Sequence, residues 1–158
     1  QVDLSSLSEV ASYLQIQSHS YLEEINFDSL TQVDGSLYFY NNYGWEEFSA
    51  PLLEEVGGSM EISYHYSSGM ERISAPSLTS LGGSLYCESN YGLEELDLGS
   101  LTEVGGQVYL SSLEAVETID LSSLEEVSSS LYINYNYQLE SLELELISHL
   151  IQEQLECK

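Results

Sequence analysis

Tyrosine recurs at a fixed interval along this chain and is the residue type best suited to hold a ligand. Tyr86, Tyr109 and Tyr132 are each 23 residues apart. A tyrosine ring offers a large, rigid contact area with a polar tip and loses little entropy on binding. Tyrosine also suits exposed strands, where it stacks on its copies in neighbouring strands. The pattern therefore supports either ligand recognition or stabilisation of a sheet.

Glutamate follows the same interval, at Glu23, Glu46, Glu71, Glu94, Glu117 and Glu140. If the copies stack about 4.8 Å apart, these side chains form a column of like charges. Neighbours then repel by about 0.9 kcal/mol in unscreened water, and less in salt. Three interpretations are open: a solvated surface, carboxylates bridged by calcium or another hard divalent ion, or adaptation to high salt or acidic surroundings.

The interval belongs to a repeat that covers nearly the whole chain. Its copies open at Leu4, Phe27, Ala50, Ala75, Leu98 and Leu121, and a truncated seventh opens at Leu144. All steps are 23 residues except the one from Ala50 to Ala75, which is 25. A unit this short cannot bury its own apolar face, so the copies must stack around a shared core.

Apolar residues within a copy predict a mainly β solenoid of six coils with parallel strands. Counted from the opening residue, positions 1, 4, 7, 11, 13, 19 and 22 are nearly always apolar. Every side of the coil therefore contributes apolar side chains to the core that the coil encloses. Positions 11 to 13, such as Leu131-Tyr132-Ile133, alternate in, out and in, which is the strand period. Positions 1 to 7 have apolar residues at every third place, which predicts tight turns or brief 3₁₀ arcs.

Small and polar residues mark the corners of each coil. Pairs such as Gly82-Gly83 precede the strand, where glycine permits a positive φ and close approach of successive coils. Asn42, Asn90 and Asn136 stand at position 16, where inward amides can bond to backbone groups of neighbouring coils as an asparagine ladder. Cys87 falls at an inward position and is expected to act as a small buried hydrophobe.

Strings such as Leu131-Tyr132-Ile133-Asn134-Tyr135-Asn136, followed by Leu139 and Leu142, resemble leucine-rich repeats of the receptor-L-domain-like kind. Similar runs occur in secreted and surface-anchored bacterial proteins and in fungal cell-wall proteins. The resemblance implies a right-handed leucine-rich-repeat solenoid that is extracellular and serves recognition, adhesion or wall structure. The chain starts at Gln1, which would suit a mature protein without its leader or an excised fragment.

The two ends differ in sequence. Residues 1–144 form the predicted solenoid, and residues 145–158 are predicted to form a C-terminal capping helix and tail, because Leu146, Ile147, Leu150, Ile151 and Leu155 follow helical spacing. No such device stands at the N-terminus, so we expect that end to be either an open edge or a cut from something longer. Pairing of two copies through that edge, giving a homodimer, is a hypothesis.

Strand positions 12 and 14 and the loop beyond them supply the candidate binding residues. They share one surface of the predicted stack and are Tyr38, Tyr40, Glu61, Tyr64, His65, Tyr66, Tyr86, Glu88, Tyr109, Tyr132, Asn134 and Tyr135. The two extra residues of the third copy lie in its Ser63–Gly69 loop, a plausible place for a specific contact. His65 stands there between two tyrosines, although a lone loop histidine is more often incidental.

Composition excludes several classes of function. Acidic residues outnumber Lys and Arg by 27 to 2, so nucleic acid and anionic membrane surfaces are poor partners. No apolar run is long enough to insert into a membrane. No nucleophile elbow, phosphate loop or metal-spaced His/Cys cluster is present, so we expect no enzyme activity, no catalytic or metal-binding residues and no cofactor.

Taken together, these features predict a secreted or cell-surface recognition or adhesion module that binds a protein or a glycan through its tyrosine-rich strand face. The alternative is a structural, self-assembling protein of a wall, matrix or filament. The regularity of the repeat also allows an engineered repeat scaffold.

Overall fold

The computed structural model describes residues 2–66 and 69–144, which form a parallel β-solenoid of about six turns. The predicted fold class is confirmed: within those two ranges every regular element is a strand. No helix among these residues is long and apolar enough to span a bilayer. The predicted capping helix at 145–158 lies outside the described residues.

Two continuous sheets run the length of the stack. The first uses positions 6 and 7 of each coil, at Glu9–Val10, Gln32–Val33, Glu55–Val56, Ser80–Leu81, Glu103–Val104 and Glu126–Val127. The second uses positions 11 to 14, at Leu14–Gln17, Leu37–Tyr40, Met60–Ser63, Leu85–Glu88, Val108–Ser111 and Leu131–Asn134. Each contains six strands in coil order.

The third side of each coil is also extended, but its pairing is interrupted. Its strands are Val2–Asp3, Ile25–Asn26, Glu47–Ser49, Arg72–Ser74, Glu95–Asp97, Thr118–Leu121 and Ser141–Leu144. They form sheets of two, three and two strands. Each coil therefore contributes to three walls around the core.

A tight turn links the third wall to the first. The Leu124 amide donates to the carbonyl of Leu121 at 3.0 Å, three residues back, and equivalent bonds recur in other coils. The predicted turns at positions 1 to 7 are therefore confirmed for the first four residues. Positions 6 and 7 instead pair with their copies as short strands, in which Glu126 is exposed and Val127 is buried.

The core is a continuous apolar column. Side chains at the predicted inward positions of coils two to five are almost fully buried, Cys87 among them. Coil two carries the largest of them: Phe27, Phe39, Trp45 and Phe48 pack with ring centroids 5.1 to 6.4 Å apart. In coil one, Leu22 and Ile25 are buried, but Leu4, Leu7, Val10, Leu14 and Ile16 are only half-buried, because no earlier coil covers them in the described part of the chain.

Glycine pairs let the coils approach closely at one corner. A Cβ placed on Gly82 would clash with the carbonyl of Gly57 in the preceding coil, and a Cβ on Gly105 would meet the carbonyl of Gly82. The next residues bond directly between coils, since the Gly83 amide donates to the Gly58 carbonyl at 2.9 Å. The predicted close approach is therefore confirmed, but the expected positive φ is not found, since none of the described glycines has one.

The opposite end of the strand is held by a left-handed corner and by asparagine. Position 15 has φ between 56° and 64° in all six coils, without glycine. At position 16, the Asn90 Nδ2 donates to the Ile62 carbonyl at 2.7 Å and its Oδ1 accepts from the His65 amide at 3.2 Å. Asn42 and Asn136 make the same pair of bonds. The predicted ladder is thus a set of clamps, each joining one coil to the coil before it.

Candidate recognition face

The second sheet presents one file of side chains at position 12. Its register pairs Gln15 with Tyr38, Tyr38 with Glu61, Glu61 with Tyr86, Tyr86 with Tyr109, and Tyr109 with Tyr132. All members except the exposed Gln15 are half-buried. The prediction that the three later tyrosines lie in one vertical file is therefore confirmed.

Tyrosine rings in this file contact one another along the stack. The Tyr86 and Tyr109 centroids are 6.4 Å apart with the planes inclined by 49°, and Tyr109 and Tyr132 are 5.8 Å apart at 55°. Gln107 donates from Nε2 to the Tyr86 hydroxyl at 2.9 Å. The rings stabilise each other at distances typical of aromatic pairs, and part of their surface stays open to a ligand.

Position 14 and the first two coils add a smaller polar patch. Tyr40 lies beside the file with its hydroxyl accepting from Gln15 Nε2 at 2.7 Å, and Tyr38 is its half-buried neighbour on the same strand. At the other end of the sheet, Asn134 has a buried Oδ1 with no partner among the described residues. Tyr135 follows at the left-handed corner and is 53% exposed.

A second group of tyrosines lies at the corner beyond the strand ends of coils three and four. The Tyr66 ring is 5.8 Å from the Tyr64 ring and 5.7 Å from the Tyr91 ring, with interplanar angles of 44° and 56°. We call Tyr64, Tyr66 and Tyr91 the tyrosine corner. Tyr91 was not among the predicted binding residues, although it shares position 17 with Tyr66 and that correspondence was available in the sequence.

Two carboxylates adjoin the tyrosine corner. The Tyr64 hydroxyl donates to Glu88 Oε2 at 2.7 Å, and this bond, with burial and the charge of Glu88, raises the pKa of Tyr64 to about 12. Glu61 lies one coil earlier on the same face. Its pKa is raised by partial burial and by the nearby charge of Glu88. The site therefore concentrates negative charge beside open aromatic rings.

His65 is the predicted binding residue that the structure does not place on the face. Its side chain is fully buried, because it occupies position 16, where other coils carry the inward asparagine. The ring contacts Trp45 edge-on at 6.4 Å, and its Nδ1 lies 3.1 Å from Asn90 Oδ1. His65 thus belongs to the core and cannot touch a surface ligand. Counting 15 residues on from Ala50 would have shown this.

Four members of the glutamate column, Glu23, Glu46, Glu71 and Glu94, line a shallow acidic groove of about 750 Å³ along the third wall. Arg72 stands in the middle of it, in register with Glu47 and Glu95, and forms an ion pair with Glu95. Within residues 2–66 and 69–144, no set of three or more His, Cys, Asp or Glu side chains is placed to hold a metal ion.

The N-terminal end of the stack is an apolar surface. A hollow of about 550 Å³ there is lined by Leu14, Ile16, Leu22 and Ile25 among others, with Tyr21 93% exposed at its rim. The strand Leu14–Gln17 has a partner on one side only. Within the described residues this strand is therefore the edge of the second sheet.

The chain matches no family model, and no curated protein or solved structure shows significant similarity to it.

Proposed function

We propose that this protein is a non-enzymatic recognition or adhesion module that binds a protein or a glycan through its tyrosine face. By that name we mean the position-12 file, Tyr40, Glu88 and the tyrosine corner. The observation that carries the proposal is the in-register file of half-open rings on one continuous sheet. Rigid aromatic side chains held in fixed positions give contact area at low entropic cost.

The repeat itself supports an extracellular setting. Its leucine-rich strings resemble receptor-L-domain-like repeats, and proteins of that kind are usually secreted or attached to the cell surface. We therefore propose the same localisation and repeat type for this chain. The formal charge of −25 fits this proposal, since it favours solubility and repels nucleic acids and anionic lipids.

The experiment is a paired substitution on the face. Tyr86→Ala with Tyr109→Ala should abolish capture of ligands in a glycan-array and pull-down screen, while circular dichroism and mass show a folded monomer. Tyr21→Ala, which removes an exposed tyrosine away from the face, is the matched control and should bind as the parent does. Equal binding by all three proteins would exclude recognition through this face.

Self-assembly is the second candidate, and the open apolar end favours it. Leu14 and Ile16 stay half-buried there, beside a strand edge with free backbone groups. If assembly is the function, the parent should form dimers or longer species with rising concentration in analytical ultracentrifugation, and Ile16→Glu should return it to monomer. A parent that stays monomeric at millimolar concentration contradicts this candidate.

A further inference from the structure

The tyrosine corner and its two carboxylates form a site that differs in chemistry from the rest of the face. Tyr66 and Tyr91 are 45% and 39% exposed, so their rings are open to a ligand. Their planes are inclined to one another by 56°, and Tyr66 is inclined to Tyr64 by 44°. Inclined rings do not make the flat platform on which a sugar ring stacks, but they can surround a small group from several directions.

The two carboxylates lie on the same side of the sheet as these rings. Glu61 and Glu88 stand at positions 12 and 14 of adjacent paired strands, and Glu88 accepts the Tyr64 hydroxyl. Glu61 is partly buried, and its pKa is raised by that burial and by Glu88. The charge of Glu88 therefore makes ionisation of Glu61 less favourable, and a positive charge beside the two carboxylates would relieve this.

No basic side chain of the described chain supplies that charge. The protein has two Lys and Arg residues in total, Arg72 and Lys158. Arg72 is held on the third wall by its ion pair with Glu95, and Lys158 is outside the described residues. Within residues 2–66 and 69–144, therefore, no side chain supplies the charge complement of this site, which leaves it open to a cation from a partner.

We infer that the tyrosine corner binds a cationic side chain, Lys or Arg, presented by a segment of a protein partner, with the ring faces of Tyr66 and Tyr91 and the carboxylates of Glu61 and Glu88 as its contacts. This inference rests on the proposed recognition function and names its partner class. A cation over a tyrosine face is attracted by the ring quadrupole, and a carboxylate beside the ring adds to that attraction.

Isothermal titration calorimetry with a short peptide that alternates Gly with Lys and Arg tests this site. The control is a neutral peptide of the same length, with Gln in place of Lys and citrulline in place of Arg. Tyr66→Leu with Tyr91→Leu removes the ring faces and keeps every charge. We expect the basic peptide to bind this variant about tenfold more weakly than the parent, from roughly 2- to 5-fold per ring. Tyr66→Phe keeps the ring face and should bind as the parent does.

Two control variants separate the site from the general negative field. Tyr137→Leu removes another exposed position-17 tyrosine, and Glu94→Gln removes one charge of the glutamate column. Glu88→Gln should weaken basic-peptide binding several-fold more than Glu94→Gln at 150 mM salt, because distant exposed charges are screened. Tyr137→Leu should leave binding unchanged.

The outcomes distinguish this inference from the proposed function. The cationic site would be overturned if the Tyr66/Tyr91 and Tyr137 variants lost equal affinity for the basic peptide. It would also be overturned if the parent bound the neutral peptide as tightly as the basic one. If neutral oligosaccharides then bind and Tyr86→Ala with Tyr109→Ala abolishes that binding, recognition by the face stands without the cation. If no ligand responds to either double variant, both the site and the proposed function are wrong.

Discussion

His65 is a single residue whose burial makes the fold sensitive to acid. Asn90 uses Nδ2 on the Ile62 carbonyl, so its Oδ1 faces the histidine as an acceptor and the Nδ1 of the neutral ring carries the proton. The Nε2 atom has no partner among the described residues. Burial lowers the pKa of His65 from 6.5 to about 4, against a smaller opposing effect of the Asn90 hydrogen bond.

This pKa shift predicts a loss of stability between pH 7 and pH 4. In that window the unfolded chain binds a proton at the histidine and the folded chain does not, so stability present above pH 6.5 declines as pH falls. The loss amounts to about 3 kcal/mol at the lower limit. Chemical denaturation at several pH values measures it.

His65→Asn is the matched variant, because asparagine is the position-16 residue of coils two, four and six. It should abolish this part of the pH dependence, whatever it does to stability at pH 7 through lost packing against Trp45. Other carboxylates titrate in both proteins, so the difference between the two curves isolates His65. Parallel curves from pH 7 to pH 4 would show that the histidine does not titrate as described.

Successive coils lie in close contact at the corner formed by the glycine pairs that precede the long strands. Gly82→Ala should reduce the free energy of unfolding by about 1–3 kcal/mol, because the new Cβ clashes with the backbone carbonyl of Gly57 and the coils must separate. Thermal or urea denaturation measures the loss. Gly99→Ala is the control, since a Cβ there meets only Asp97 Oδ1 at 3.7 Å. Equal stability of the two variants would mean that the corner is not tightly packed.

Some elements follow directly from sequence, and others do not. The long strands are predictable because Leu37-Tyr38-Phe39 alternates inward and outward, and the burial pattern agrees. A two-residue strand such as Glu126–Val127 is too short to show a period and forms only because its copies pair with it. The position-15 corner holds Ser, Asn or Tyr at positive φ, so no glycine signals it. Tyr66 and Tyr91 share position 17 in the sequence, but the contacts among the rings of the tyrosine corner needed coordinates, because side-chain directions beyond the strand follow no fixed period.

Charge governs the behaviour of the molecule as a whole. A net charge of −25 disfavours the compact state through self-repulsion, and the ordered column of glutamates adds to this. Raising NaCl from 20 to 500 mM shortens the Debye length from about 20 Å to about 4 Å. This screening should therefore raise the melting temperature. Glu94→Gln should stabilise the protein at low salt by about 0.5 kcal/mol and have little effect at high salt.

Calcium offers a sharper comparison for the same surface. With screening alone, CaCl₂ and NaCl at equal ionic strength should raise the melting temperature by similar amounts, since no metal-binding set of side chains occurs within residues 2–66 and 69–144. A shift of several degrees at micromolar calcium would instead reveal a bound ion.

The distance between equivalent positions in different coils tests the central claim, which is that the coils stack in register. Two doubly spin-labelled proteins are compared, both with labels at position 20. The labels on Glu46 and Glu140 are four coils apart, and those on Glu23 and Glu140 are five coils apart. Cys157→Ser removes the terminal thiol, and Cys87 stays unlabelled because it is buried with its pKa raised to about 12. Double electron–electron resonance should give a separation of about 19 Å for the first pair and about 24 Å for the second, and the two values differ by one strand spacing. Equal separations, or values that do not grow with the number of coils, would contradict the stack and with it the tyrosine face.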